Sequence, residues 1–234
     1  MSTSIKLTRL RPLKRTDLFP IVANLLPVFG VAFLGWSPIE AFIVYALETL
    51  IVGVLTVLKM LTLTFSISGR SAAKQAELFP VHGLFLILFF IFHYGMFAGI
   101  QTSIFAGVSG IGPKGSSPLY FFLNWYHFVN RDIAFMLSTF VVSYVANNFI
   151  PFVISGEYRN GSIIKLMFQP YGRIVVQQLT VIVGSMFLSF GLGLGFMIVF
   201  VAVKLYFDLF VNFDAYIESA MVEAKLKQEK NQST

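Results

Sequence analysis

Glu48, His93, Lys204 and Asp208 are ionisable side chains set within apolar stretches, and together they could carry a proton or cation or activate water. A charge at the centre of a membrane helix costs roughly 2.5–3.5 kcal/mol on insertion scales, so each needs a partner, water or a protein interior. Glu48 lies near the middle of the apolar run from Ile39 to Ser66, and His93 and Lys204 fall near the middle of two further runs. Residues eleven apart on a helix return to within about 20° of one face. Glu48 shares a face with Lys59 on that rule, and His82 shares one with His93. Lys204 and Asp208 are one helical turn apart, a spacing at which opposite charges can neutralise each other. We expect Glu48, His93, Lys204 and Asp208 to meet in one buried polar centre. Tyr171 and Arg173, on its cytoplasmic side, are the candidate contact for an anion or a lipid headgroup.

The elements that would position these residues follow from composition. The chain of 234 residues is 56% hydrophobic and only 12% charged, with a mean hydropathy of +0.78. Soluble domains carry about 25% charged residues, so most of this surface faces lipid. A net charge of +6 would suggest nucleic acid in a soluble protein, but here it fits basic cytoplasmic loops. There is no Cys, which excludes disulfides, thiolate metal sites and a Cys nucleophile. No metal or cofactor is expected, because three His supply at most a thin ligand set.

A membrane helix needs about 20 apolar residues. Six stretches qualify: Leu18–Trp36, Ile39–Ser66, Pro80–Val108, Ile133–Ile154, Ile174–Phe190 and Phe196–Phe213. With the N-terminus inside, Lys and Arg divide about thirteen to two in favour of the cytoplasmic segments. The expected fold is therefore all-α: a polytopic transmembrane bundle of six spans with both termini cytoplasmic. Residues 1–17 form a basic leader, 18–213 the membrane domain and 214–234 a helical tail that frays. A signal peptide is rejected, since the first run is long, contains Pro20, Asn24 and Pro27, and lacks an Ala-x-Ala site. Leu119–Asn130 is too short to cross and suits the outer interface. Ser162–Gln169 reads as a cytoplasmic interfacial helix stopped by Pro170. Gly95, Gly99, Ser103 and Gly107 form a small-residue stripe suited to close helix contact, and Asn24, Asn147 and Asn148 suit hydrogen bonding between helices.

Four pieces of the chain carry a family resemblance: GWSPIEAFIVYALETLIVGVLTVLKM (Gly35–Met60), FHYGMF (Phe92–Phe97), PYGRIVVQQ (Pro170–Gln178) and KLYFD (Lys204–Asp208). In their order they resemble a family of multi-spanning prokaryotic membrane proteins known only as a domain of unknown function. The resemblance implies that Glu48, His93, Tyr94, Gly95, Pro170, Tyr171, Arg173, Lys204 and Asp208 are characteristic positions, and it implies no activity. The chain departs from the pattern at Ala46, where an aromatic is expected, and at Gln101 and Gln178, where His is expected.

Three functions remain open on the sequence. One is a structural or accessory membrane subunit whose polar groups fix helix register. A second is a small proton- or cation-coupled transporter using Glu48 and His93. A third is an intramembrane enzyme acting on lipid or peptide, against which stands the lack of GxSxG, HExxH and a complete nucleophile–base set. The expected partners are the lipid bilayer of the cell membrane and anionic headgroups, without nucleic acid. Oligomeric state is not legible.

Overall fold

The computed structural model describes residues 17–66, 83–109, 120–159, 161–172, 174–175, 187, 190–210 and isolated positions between 217 and 226. His82, Arg173, most of the expected span Ile174–Phe190 and most of the tail lie outside these residues, as does the side chain of Asp208. Every regular element among the described residues is helical. The elements are α1 (Leu18–Phe33), α2 (Pro38–Ser66), α3 (Gly83–Ser109), the short α4 (Tyr120–Leu123), α5 (Arg131–Tyr144), α6 (Ile150–Ile154), α7 (163–172) and α8 (Gly193–Phe210). A π-helical turn, Val145–Phe149, joins α5 to α6 without a break. Among the described residues, three helices are long and apolar enough to cross a membrane: Pro38–Ser66, Gly83–Gly107 and Arg131–Ile154. Shorter apolar helical stretches run over Ile21–Phe33 and Met197–Phe207.

Local chemistry sets the boundaries. α1 ends where Gly35 takes a φ of 74°, a left-handed conformation that costs glycine little. The chain then turns back, with the N–H groups of Leu34 and Trp36 both donating to the Gly30 carbonyl. α2 opens on a reciprocal cap: Ser37 Oγ accepts from the Ile39 N–H, and Glu40 Oε2 accepts from the Ser37 N–H at 3.3 Å. Pro38 fills the first helical position, where its missing N–H costs nothing. Asn130 caps α5 by accepting from the Ile133 N–H at 2.9 Å, and its amide also donates to Glu40 Oε1. That bond ties the start of α5 to the start of α2.

The π turn has a sequence cause. Pro151 has no N–H to give the carbonyl of Asn147, and its ring crowds that carbonyl, so the preceding turn widens. Asn147 answers locally, its side-chain amide donating to the Ser143 carbonyl at 3.0 Å rather than to another helix. Pro170, by contrast, does not stop its helix, because α7 continues through Gly172. One lost backbone bond is tolerated where side-chain packing holds the turn, and Leu166, Met167 and Ile174 are buried there.

α2 is the axis of the bundle, packing on α1, α3, α5 and α8. Every side chain from Ala41 to Thr49 is buried, so neighbours enclose the helix on all sides at this level. Cross-helix pairs give the directions. Trp36 with Phe135, Tyr45 with Phe140 and Lys59 with Phe152 run upward together, so α2, α5 and α6 are parallel. Phe42 with Phe200 and Glu48 with Lys204 make α8 parallel to α2 as well. Phe42 with Phe105, Gly53 with Tyr94 and Thr64 with Gly83 make α3 antiparallel to it. The outer faces are apolar, with Phe92 75% and Phe65 80% exposed. Apolar faces of that kind suit hydrocarbon better than water.

The α2–α3 seam uses Ile87, Phe90, Tyr94, Ala98, Gln101 and Phe105, spaced three or four residues apart. The expected glycine stripe is not this contact: among the described residues, nothing comes within 4 Å of a Cβ built on Gly95 or Gly107. Gly53 is the small residue the seam needs, since a Cβ there would sit 2.7 Å from Tyr94 Cε1. Tyr94 is pinned in place because its hydroxyl donates to the Thr49 carbonyl at 2.9 Å. Gly53→Val is expected to destabilise the protein by about 1–3 kcal/mol through overpacking. Thermal unfolding in detergent measures this, and Tyr94→Ala in the same chain should recover part of the loss.

Candidate functional site

Glu48 sits one residue before Thr49, whose carbonyl faces α3, and this fixes where the carboxylate points. A step of one residue turns a helix by about 100°, so Glu48 is aimed away from the seam and toward α1, α5 and α8. Lys204, on α8, meets it there with Nζ 2.9 Å from Glu48 Oε1. The two side chains are 7% and 2% exposed, Lys204 and Glu48 respectively, so the ion pair is enclosed by protein. Lys204 Nζ also donates to Asn24 Oδ1 on α1 at 2.5 Å. From α5 the Tyr144 hydroxyl donates to the same Glu48 oxygen at 2.6 Å. Four helices thus contribute one hydrogen-bonding group each to a charge-balanced centre.

Aromatic rings complete its walls. The Lys204 ammonium lies 5.8 Å from the Tyr45 ring centroid and 5.5 Å from that of Phe140, within the range where a cation is attracted to a ring face. Tyr45 packs on Phe200 at 4.7 Å, and its hydroxyl donates to the backbone carbonyl of Asn24 at 2.7 Å. Asn24 is therefore held at both its backbone and its side chain. Pro27, inside α1, withdraws the N–H due to the carbonyl of Ala23, which leaves this turn of α1 open to outside donors.

His93 is not part of this group. Its neighbour Tyr94 faces α2, so the imidazole is turned out of the seam toward α7. There Nδ1 lies 2.8 Å from the Tyr171 hydroxyl. Phe89 stacks on the imidazole at 5.2 Å and Phe97 meets it edge-on at 5.1 Å. The Gly53–Tyr94 contact sets His93 level with Val54, six residues or about 9 Å along α2 from Glu48. Tyr171, expected beside Arg173 at a headgroup site, has its hydroxyl within hydrogen-bonding distance of His93. Arg173 itself lies outside the described residues.

The expected four-membered centre thus resolves differently. Glu48 and Lys204 meet, His93 joins Tyr171, and the side chain of Asp208 lies outside the described residues. The ammonium of Lys204 reaches Glu48 on another helix, one of the partners expected for it. Asn24 serves as the interhelical hydrogen-bond partner that its type suggests. Tyr144 and Tyr45 were not singled out by sequence. The available signal was a phenol hydroxyl at mid-span, which must find an acceptor when buried. Lys59 lies over the Phe152 ring at 5.3 Å, its cationic end resting on an aromatic face.

The arrangement can hold two opposite charges inside a low-dielectric bundle and can fix the mutual positions of four helices. No curated protein and no solved structure matches the chain. Over residues 6–234 it matches a family of unknown function, DUF6498, and the chain belongs to that family.

Proposed function

We propose that this is an integral protein of the cell membrane, with six spans and both termini cytoplasmic, acting as a structural or accessory subunit whose Glu48–Lys204 centre locks the bundle. The observation that carries this reading is the closure of the ion pair: two charges from α2 and α8 neutralise each other while Asn24 and Tyr144 take further bonding capacity. Removing one partner of such a pair leaves the other charge buried and typically costs about 3–5 kcal/mol. A centre of that kind determines which helices assemble and in which register. The helix directions support the span count: Tyr45 meets Asn24 and Trp36 meets Gly30, so α1 runs against α2, and α2, α5 and α8 run one way with α1 and α3 the other, as alternate spans of a six-span chain would.

A second reading, proton- or cation-coupled transport, is favoured by one specific feature. Tyr144, which bonds Glu48, is the last residue before the π turn, and such turns concentrate at functional sites because they can shift register. Parting of Glu48 from Lys204 would free α8 from α2 at this level, and the wide turn would let α6 move relative to α5. For the enzyme reading, the candidate headgroup contact Arg173 lies outside the described residues.

Glu48→Ala and Lys204→Ala are each expected to reduce folded protein in the membrane severely, and Glu48→Gln with Lys204→Met in one chain to restore it. Folded abundance by fluorescence-detected size exclusion reads this directly. Wild-type abundance of either single variant would overturn the structural lock. A double variant that folds normally yet no longer passes protons in vesicles, where the wild type does, would establish the transport reading instead. Tyr144→Phe removes one hydrogen bond to a charged acceptor and is expected to cost about 1.5–3 kcal/mol, seen as a lower Tm at unchanged oligomeric state.

A further inference from the structure

Gln101 is 1% exposed, and neither its Nε2 nor its Oε1 has a hydrogen-bond partner among the described residues. The Oγ1 of Thr49, a residue 2% exposed, is in the same position. A buried polar atom left without a partner is strongly unfavourable, and this seam holds three of them. Something must bond to them.

The seam says what fits. Four residues along each helix from the Phe42–Phe105 contact, Gln101 stands level with Ala46. By the same register Thr49 stands level with Ala98. Each polar side chain therefore faces an alanine, the smallest side chain that the seam carries at this level, and Ala46 and Ala98 are themselves fully buried. Thr49 and Gln101 differ in level by three residues, about 4.5 Å of helical rise, which one water molecule can bridge with two hydrogen bonds. Two acceptors or donors on Gln101 and a hydroxyl on Thr49 supply the two to four polar partners that a buried water requires. An ion is a poorer fit, because the nearby carboxylate of Glu48 is already neutralised by Lys204.

We propose that Gln101 and Thr49 hold an ordered water molecule within the α2–α3 seam, level with the Glu48–Lys204 centre. The buried polar layer of the bundle then extends from α8 through α2 to α3, with Thr49 next in sequence to Glu48. This hydration does not depend on whether the ion pair serves assembly or transport.

The test is a high-resolution structure of the full chain in nanodiscs, together with the Tm of Gln101→Leu. Density within hydrogen-bonding distance of both Gln101 and Thr49, absent when Gln101→Leu and Thr49→Val are combined, is the expected result. A dry contact, or a Gln101 amide bonded to a protein group, would overturn the proposal. The sign of the stability change decides independently of any map. With water present, Gln101→Leu strands the Thr49 hydroxyl and lowers Tm by a few degrees. In a dry seam the same variant deletes two unsatisfied atoms, so a raised or unchanged Tm would count against the water. The double variant, apolar throughout, guards against misfolding as the cause: it should regain Tm relative to Gln101→Leu alone.

Discussion

A carboxylate on a helix that is enclosed on every side cannot be left single, and that constraint organises the rest of the bundle. From Ala41 to Thr49 there is no face of α2 that reaches the surroundings, so Glu48 has to be answered from within. Lys204 answers the charge, and Tyr144 gives its hydroxyl to the same oxygen. The ammonium in turn needs more than one acceptor, and Asn24 supplies it from α1. Each added group draws in another helix. α1, α5 and α8 are thereby held against α2 at one level, and the rings of Tyr45, Phe140 and Phe200 fill the space between them.

The bundle is consequently two packed layers on one axis. The first surrounds the ion pair and contains Phe42, Tyr45, Phe105, Phe140 and Phe200. The second contains Met60, Leu63, Phe90, Phe152 and Leu166, with Tyr171 packed against it. α2 and α3 pass through both, and the Tyr94 hydroxyl on the Thr49 carbonyl joins them near the boundary. His93 belongs to the second layer because it shares α3 with Tyr94 but not its face. Its bond to Tyr171 fastens α7 to α3, as the ion pair fastens α8 to α2.

The sequence makes the helices legible because their signal is additive along the chain. Apolar length and Pro, Gly and Ser punctuation locate α1, α2, α3 and the Arg131–Ile154 helix to within a few residues of the expected spans. Glu48 and Lys204 stand out in sequence as charges within apolar stretches that need partners, and the ammonium reaches Glu48 on a helix far away in sequence. The four-residue spacing also offers Asp208 to Lys204, and that side chain lies outside the described residues. Depth without azimuth also placed His93 with Glu48, although the two project to different sides. Tyr144 was invisible for another reason: in a chain so rich in aromatic residues, one more ring reads as lipid-facing bulk, and only its hydroxyl distinguishes it.

The wide turn after Tyr144 has a geometric consequence for the same helix. In an unbroken α-helix Tyr144 and Phe152, eight residues apart, would differ in direction by about 80°. If the turn absorbs one extra residue, the difference falls to roughly 20° on the other side. Both side chains then face α2: Tyr144 reaches Glu48, and Phe152 lies beneath Lys59 one layer further on. Without the turn, a helix aligned to serve the ion pair would carry Phe152 out of the second layer. Pro151 is the residue that forces the widening, and Asn147 occupies the Ser143 carbonyl within the altered turn. A proline that weakens the backbone ladder of this helix is therefore what lets a single span satisfy both layers at once.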